Sequence, residues 1–347
     1  MKTLNLLSQL THLEIYALDL EESVRYYVEE VGLRVIDKDD EKVYLRAWGD
    51  FYTYSLVLKK GVAPGLVSMA WRTTSDEALD EAVERIEAAG YGGEWKEPGA
   101  HLGRSYVFTG PFGHTMQLFW EAERYHGTGE FASEFPDRPE KRRAVGIAAR
   151  HLDHVTIASR DVEGFANWYS ETLGFRRMGY SGFEIEGKDV TFFGVLTTNE
   201  KSHDLGILLD GSNDGSGRIH HYAWWVDTRA ELDRAADLLI ERGTPIEYGP
   251  GVHGVGEQAF LYFREPSGLR IELNTGGYRN YVPDWEPFRW HPSQGNDDFY
   301  RNRVLPQTML EAFPPASGPT ATEQGLVEGS EEAMVAAAVR VSDPDQR

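Results

Sequence analysis

Residues 12–35 (HLEIYALDLEESVRYYVEEVGLRV) and 154–177 (HVTIASRDVEGFANWYSETLGFRR) align without a gap. Identical pairs run through the match, among them His12/His154, Ile15/Ile157, Asp19/Asp161, Tyr27/Tyr169, Gly32/Gly174 and Arg34/Arg176. Further on, Ser68 and His221 open a second matched stretch that shares Trp71/Trp224, Leu79/Leu232, Asp80/Asp233 and Gly90/Gly243. The copies close with GPFGHTMQLFW from Gly110 and REPSGLRIELN from Arg264. A chain that repeats itself in this way is built from one module used twice.

Each copy reads the same way. A short strand beginning at His12 or His154 alternates apolar and polar residues. An amphipathic helix follows, over 20–31 and 162–173, and stops at Gly32 or Gly174, each suited to a left-handed C-terminal cap. After further strands come strand–helix pairs at 67–72 with 76–89 and at 221–226 with 229–242. A closing hairpin turns on PFGH or EPSG. The expected class is α+β, with two βαβ-like units per copy and mainly antiparallel sheets. The expected domains are 1–121 and 151–313, joined by a polar linker at 122–150 with a short helix near 138–143. The aromatic residues within 278–313 are expected to pack back onto the second domain. The tail at 314–347 reads as an acidic, disordered segment with a transient helix at 331–340.

Composition excludes several functions. Among 347 residues, 56 acids face 35 Lys and Arg, a net charge of -21, which repels nucleic acid and anionic membrane surfaces. Only nine of those 35 cations are lysine; the acid-rich surface is read as solubilising, with salt adaptation as the alternative. There is no Cys, so disulfides, thiolate metal sites and cysteine nucleophiles are ruled out; a bound metal must use His or carboxylate. Residues 1–10 lack the apolar core of a secretory signal and no apolar run approaches a membrane span, so a cytoplasmic protein is expected.

Comparing the copies isolates the chemistry. Copy two carries His154, His221 and Glu272 where copy one carries His12, Ser68 and Gln117. Two imidazoles and one carboxylate are the facial ligand set of non-haem iron(II) oxygenases, with positions left open for substrate and dioxygen. His, Ser and Gln are too weak a set to hold a divalent ion, which is the pattern of a duplication that kept one metal site. Three more residues belong with the triad: His203 at the start of an apolar strand, His253 in a Gly-rich loop, and Tyr262. Imidazole moves protons near neutrality, and a phenol donates a hydrogen bond to a developing oxyanion. His220 is expected on the opposite strand face from His221. His12 and His101 are the copy-one echoes of His154 and His253 and read as structural or vestigial.

The run from Gly251 to Glu272, GVH followed by LYFREPSGLRIE, resembles the type I extradiol dioxygenases of the vicinal oxygen chelate superfamily, nearest to the catechol 2,3-dioxygenase group. RHLDHVTIASRDV, SHDLGIL, GRIHHYAWWVD and NTGGYRNYVPDWEPFRW resemble it too, so the likeness covers about residues 8–313. It implies paired βαβββ modules, each an open mixed barrel, with a catalytically empty first domain, and a homo-oligomer, often a tetramer. It implies that His154, His221 and Glu272 bind Fe(2+), or Mn(2+) in some members. It implies that His203 is the acid/base beside dioxygen and that His253 and Tyr262 hydrogen-bond the substrate oxygens. The implied reaction is extradiol cleavage of catechol by dioxygen to 2-hydroxymuconate semialdehyde. Relatives often have Trp where this chain has Val195; the smaller side chain points to a pocket for a substituted catechol or a bicyclic diol as the alternative, while Phe192 and Phe193 nearby are expected to restore the packing. A metal-free aromatic-binding module and a glyoxalase-type isomerase are the competing classes; the first has no need of all four of His154, His203, His221 and Glu272. The second draws ligands from both modules, which Ser68 and Gln117 do not supply.

Overall fold

The computed structural model describes residues 5–99, 101–142, 144–185, 187–212, 216–291, 294 and 305–314; the helix expected at 331–340 and the disorder expected beyond 314 lie outside them. The first module runs β1 (Leu7–Ala17), α1 (Leu20–Tyr26), β2 (Arg34–Lys38), β3 (Lys42–Arg46), β4 (Leu56–Lys60), β5 (Gly65–Thr73), α2 (Asp76–Ala88), β6 (Gly93–Lys96), β7 (Ser105–Thr109) and β8 (Thr115–Phe119). The second runs β9 (His151–Ser159), α3 (Val162–Leu173), β10 (Arg176–Ile185), β11 (Lys188–Thr197), β12 (Leu205–Leu209), β13 (Arg218–Trp225), α4 (Arg229–Glu241), β14 (Ile246–Val252), β15 (Gln258–Arg264), β16 (Arg270–Gly276) and β17 (Phe288–Trp290).

The repeated residues explain the repeated elements. Asp19 and Asp161 cap their helices, accepting hydrogen bonds from the N–H groups of Glu22 and Gly164. α1 continues as a π-helical turn over Tyr27–Val31, and the chain leaves at Gly32 with φ 85°. There a Cβ would stand 2.4 Å from the Val145 carbonyl, so only glycine fits. Thr228 and Glu231 form a reciprocal capping box on α4.

Both sheets have one strand order: β2-β3-β4-β1-β5-β8-β7-β6, and β10-β11-β12-β9-β13-β16-β15-β14 with β17 added beside β10. Among the described residues their first and last strands are not paired, so each is an open mixed sheet rather than a closed barrel. Contrary to the expected strand starts, β1 and β9 begin at Leu7 and His151, which places His12 and His154 inside their strands. Of the extra residues, Leu7, Gln9 and Leu10 pair with β5, and His151 and Leu152 with β13, so alternation from the histidine onward marked the middle of the strand.

One hydrophobic core spans both modules. Trp71 of the first meets Phe175 of the second edge to face at 4.9 Å, and the Tyr27 hydroxyl bonds the Tyr222 hydroxyl across the seam. The helix expected at 138–143 is absent over the described residues 138–142; the linker's short helical turn is at Gly129–Phe131 instead. The fully buried Glu140 explains this: it is drawn to Arg34 at 2.5 Å and Arg46 at 3.4 Å, with the Arg46 guanidinium over the Tyr125 ring. Proline at 136 and 139 removes the N–H groups a helix needs there. Among the described residues no helix is long and apolar enough to cross a membrane.

Candidate active site

The ladders bring the triad together. In the second sheet Ala223 of β13 lies opposite His154 on one side and Glu272 on the other, and His221 sits two residues along β13. The first sheet repeats this lattice, with Ala70 between His12 and Gln117 and with Ser68 two residues back. The sequence comparison of the two copies is therefore also a comparison of equivalent points in space.

His154 Nε2, His221 Nε2 and Glu272 Oε2 lie 3.0–3.1 Å from one another, all three residues buried. Three adjacent donors bonded to one ion at about 2.1 Å sit about 3 Å apart, so the set fits a divalent metal. The donor chemistry agrees. Nδ1 of His154 donates to Asp153 Oδ2 at 2.9 Å, and Asp153 is itself held by Asn274 Nδ2 at 2.8 Å and Lys201 Nζ at 2.7 Å. This is the carboxylate–histidine pairing that orients metal-binding imidazoles. Burial lowers the pKa of His154, but the Glu272 and Asp153 carboxylates outweigh it and push it up to about 9. Burial holds His221 down to about 4, only partly opposed by Glu272. Burial would raise Glu272, yet the imidazoles around it hold its carboxyl well below the ordinary range.

The other expected residues surround this set. The His203 ring lies 4.4 Å from that of His154, and burial together with His154 keeps its pKa well below the ordinary value, so it stands neutral. His253 follows β14; its ring stacks on Phe260 at 4.1 Å, and its Nε2 lies 3.2 Å from the Tyr262 hydroxyl and 3.8 Å from Glu272 Oε1. Tyr262 faces Glu272 across the β15–β16 ladder, and burial and that carboxylate raise its pKa well above the ordinary value, so it keeps its proton. Val195 and Phe193, both on β11, wall the cavity that opens from these groups. That cavity measures about 140 Å³; its remaining walls include Phe192, Leu208, Trp290 and Met309, and among the described residues no Lys or Arg lines it.

Copy one is filled. His12 packs on Tyr54 at 4.7 Å and Phe119 at 5.9 Å, and burial takes its pKa down to about 3. Gln117 donates to Ser105 Oγ at 2.9 Å, and Val107 stands opposite it where Tyr262 stands opposite Glu272. His101 is not free for chemistry: it bonds Glu123 at 2.7 Å, reaches Asp37 at 3.4 Å and rests on Tyr44 and Tyr54.

The expectation for His220 is corrected. A bulge lies between the paired residues Ile219 and His221, so strict alternation fails and both histidines reach the cavity. His220 Nδ1 lies 2.6 Å from His221 Nδ1, and His220 Nε2 lies 2.6 Å from the Met309 carbonyl. Residues 305–313 belong to the stretch expected to pack back onto the second domain, and Leu305 and Met309 join the cavity wall, a contribution the sequence did not single out.

The chain belongs to the Glyoxalase/Bleomycin resistance protein/Dioxygenase superfamily, which it matches over residues 9–118 and 151–273, and within it to the extradiol dioxygenases. It is 32% identical to the metapyrocatechase of Geobacillus stearothermophilus, over 87% of this chain and 91% of that protein. It is also 32% identical to the manganese-dependent 2,3-dihydroxybiphenyl 1,2-dioxygenase of Geobacillus genomosp. 3, over 80% of this chain and 88% of that protein. Among solved structures it is similar to the homoprotocatechuate 2,3-dioxygenase of Brevibacterium fuscum bound to 3,4-dihydroxyphenylacetate. The TM-score is 0.75 at 26% identity, covering 89% of this chain and 93% of that one.

Proposed function

We propose that this protein catalyses extradiol cleavage of catechol: dioxygen adds across the ring bond next to the diol, both its atoms enter the product, and 2-hydroxymuconate semialdehyde forms. The observation that carries this reading is the 3.0–3.1 Å spacing of His154 Nε2, His221 Nε2 and Glu272 Oε2 at the end of an apolar cavity. A divalent metal held there, Fe(2+) in the first instance with Mn(2+) as the alternative, acidifies the catechol hydroxyls and offers open positions to both reactants.

The protein's own groups do the rest. Neutral His203 has a lone pair to accept a proton that a catechol hydroxyl releases, and it can return that proton to an oxygen as the ring opens. Tyr262 keeps its proton and donates a hydrogen bond to oxygen, with His253 beside it at 3.2 Å. The walls exclude water and stack an aromatic ring.

The size of the cavity favours one ring, since about 150 Å³ of apolar space holds a benzene molecule. The described walls are mainly apolar and aromatic, which favours an unsubstituted catechol ring. Small Val195 supports a second reading in which a short alkyl substituent is also accepted. Assembly as a homotetramer in the cytoplasm belongs to the same proposal, and sedimentation of the purified protein measures the assembly. Product analysis tests the chemistry: catechol should yield the yellow semialdehyde, whereas cis,cis-muconate, the intradiol product, would overturn the assignment.

A further inference from the structure

We infer that His220 is a positioning residue that fixes which nitrogen of His221 carries the proton, and so makes the metal site dependent on the chain segment at 305–314. The inference rests on the reading of His154, His221 and Glu272 as metal ligands.

The argument starts from a carbonyl, which can only accept. Met309 O lies 2.6 Å from His220 Nε2, so that nitrogen must carry the proton. In a neutral imidazole the other nitrogen is then an acceptor, so His220 Nδ1 accepts. Its neighbour at 2.6 Å, His221 Nδ1, must donate. With its proton on Nδ1, His221 presents a bare lone pair at Nε2, the atom 3.1 Å from His154 Nε2 and 3.0 Å from Glu272 Oε2. The direction of every hydrogen bond in the row is thus set by the peptide carbonyl at its far end.

That carbonyl is itself fixed. The fully buried Arg270 donates to the His220 carbonyl at 3.0 Å and to the Glu311 carbonyl at 3.0 Å, and also bonds the Thr308 carbonyl. The Glu247 carboxylate grips the same guanidinium at 2.9 Å through both oxygens. Arg270 therefore ties the bulge on β13 to the segment that carries Met309. His154 is served by a carboxylate, Asp153; His221 is served by a second imidazole and a backbone oxygen from a segment outside the repeat. Only the bulge at His220 makes this possible, because regular alternation would turn His220 away from the cavity.

The test compares His220→Asn and His220→Leu by metal affinity, measured by competition with a chelator under anaerobic conditions, for Fe(2+) and Mn(2+) separately. The Asn carboxamide oxygen sits where Nδ1 sat and still accepts from His221; Leu fills the space and accepts nothing. The Leu variant should bind metal about 10- to 100-fold more weakly, the usual cost of losing a partner behind a ligand. The Asn variant should stay within about threefold of the wild type by the same measure. Thermal unfolding of the metal-free proteins separates this from a packing defect, since both substitutions remove the ring. Equal affinity of the Leu variant and the wild type, or equal weakening in both variants, overturns the inference. A wild type that binds neither ion overturns the reading of the metal site as well, which distinguishes the two failures.

Discussion

Nε2 of His154 faces Nε2 of His221 across 3.1 Å while Nδ1 of each ring is engaged elsewhere, with Asp153 and His220 respectively. The raised pKa of His154, about 9, keeps a proton between the two rings and the Glu272 carboxylate in the metal-free protein, at the place a divalent cation would take. His221→Ala removes one donor and should abolish measurable turnover and weaken metal binding by at least about 100-fold. Isothermal titration of the variant with Mn(2+) checks this, and unchanged affinity would sink the assignment.

His203→Asn should leave metal affinity and anaerobic catechol binding within a few-fold of wild type, because His203 packs on His154 but is not one of the three clustered donors. The same change should lower kcat by about 10²- to 10⁴-fold, the usual cost of removing a general acid/base. Stopped-flow turnover at saturating catechol measures it; an unaltered kcat would show that the proton moves by another route.

Trp290 packs with Met178 and Val195 in a small cluster at the cavity wall, and its ring lies 6.3 Å from that of Phe193. Trp290→Leu should enlarge the cavity, raise kcat/KM for a 4-alkylcatechol relative to catechol, and cost about 2–4 kcal/mol of stability. A preference ratio that stays put would place the substituent against another wall.

Leu305 and Met309 wall the cavity, and Arg218 bonds the Ala312 and Pro314 carbonyls, the latter at 2.8 Å. Removing 315–347 should leave activity within experimental scatter, whereas removing 305–347 should abolish it. Steady-state rates of the two truncations decide; equal rates would contradict the role given to this segment.

Glu265, at the turn between β15 and β16, sits at the seam between the modules beside Tyr27 and Tyr222. Burial pushes its pKa from the ordinary 4.5 up to about 7, against hydrogen bonds that lower it. In the folded state it holds its proton over the window from about 4.5 to 7 in which the unfolded chain releases it, so stability falls as pH rises through that window. Glu265→Gln should remove this loss and stabilise the protein at pH 8 by on the order of 2 kcal/mol, with little effect at pH 4. Urea denaturation at both pH values tests the sign; a variant less stable at pH 8 would contradict it.

The duplication made most of the site legible. Because His154 and Glu272 flank Ala223 as His12 and Gln117 flank Ala70, one chain carried its own control, and the ligand set stood out because copy one keeps its histidine but has Ser68 and Gln117 in place of the other two donors. His203, His253 and Tyr262 were recognisable as residues of proton chemistry close to strands of that module. The bulge at His220 was hidden because alternation is a rule of regular strands, and nothing in IHHY says which residue is the extra one. The linker was hidden because Glu140 reads as surface charge until Arg34 and Arg46, about a hundred residues earlier, are brought beside it. Met309 was invisible because its contribution is a backbone carbonyl, which every residue has.

The most direct test is dioxygen consumption on adding catechol to protein loaded anaerobically with Fe(2+), with His221→Ala treated identically. The account predicts one dioxygen consumed per catechol, a yellow ring-fission product and no uptake by the variant. Catechol bound without dioxygen uptake, and bound equally by the variant, would contradict it and make the protein an aromatic-binding module.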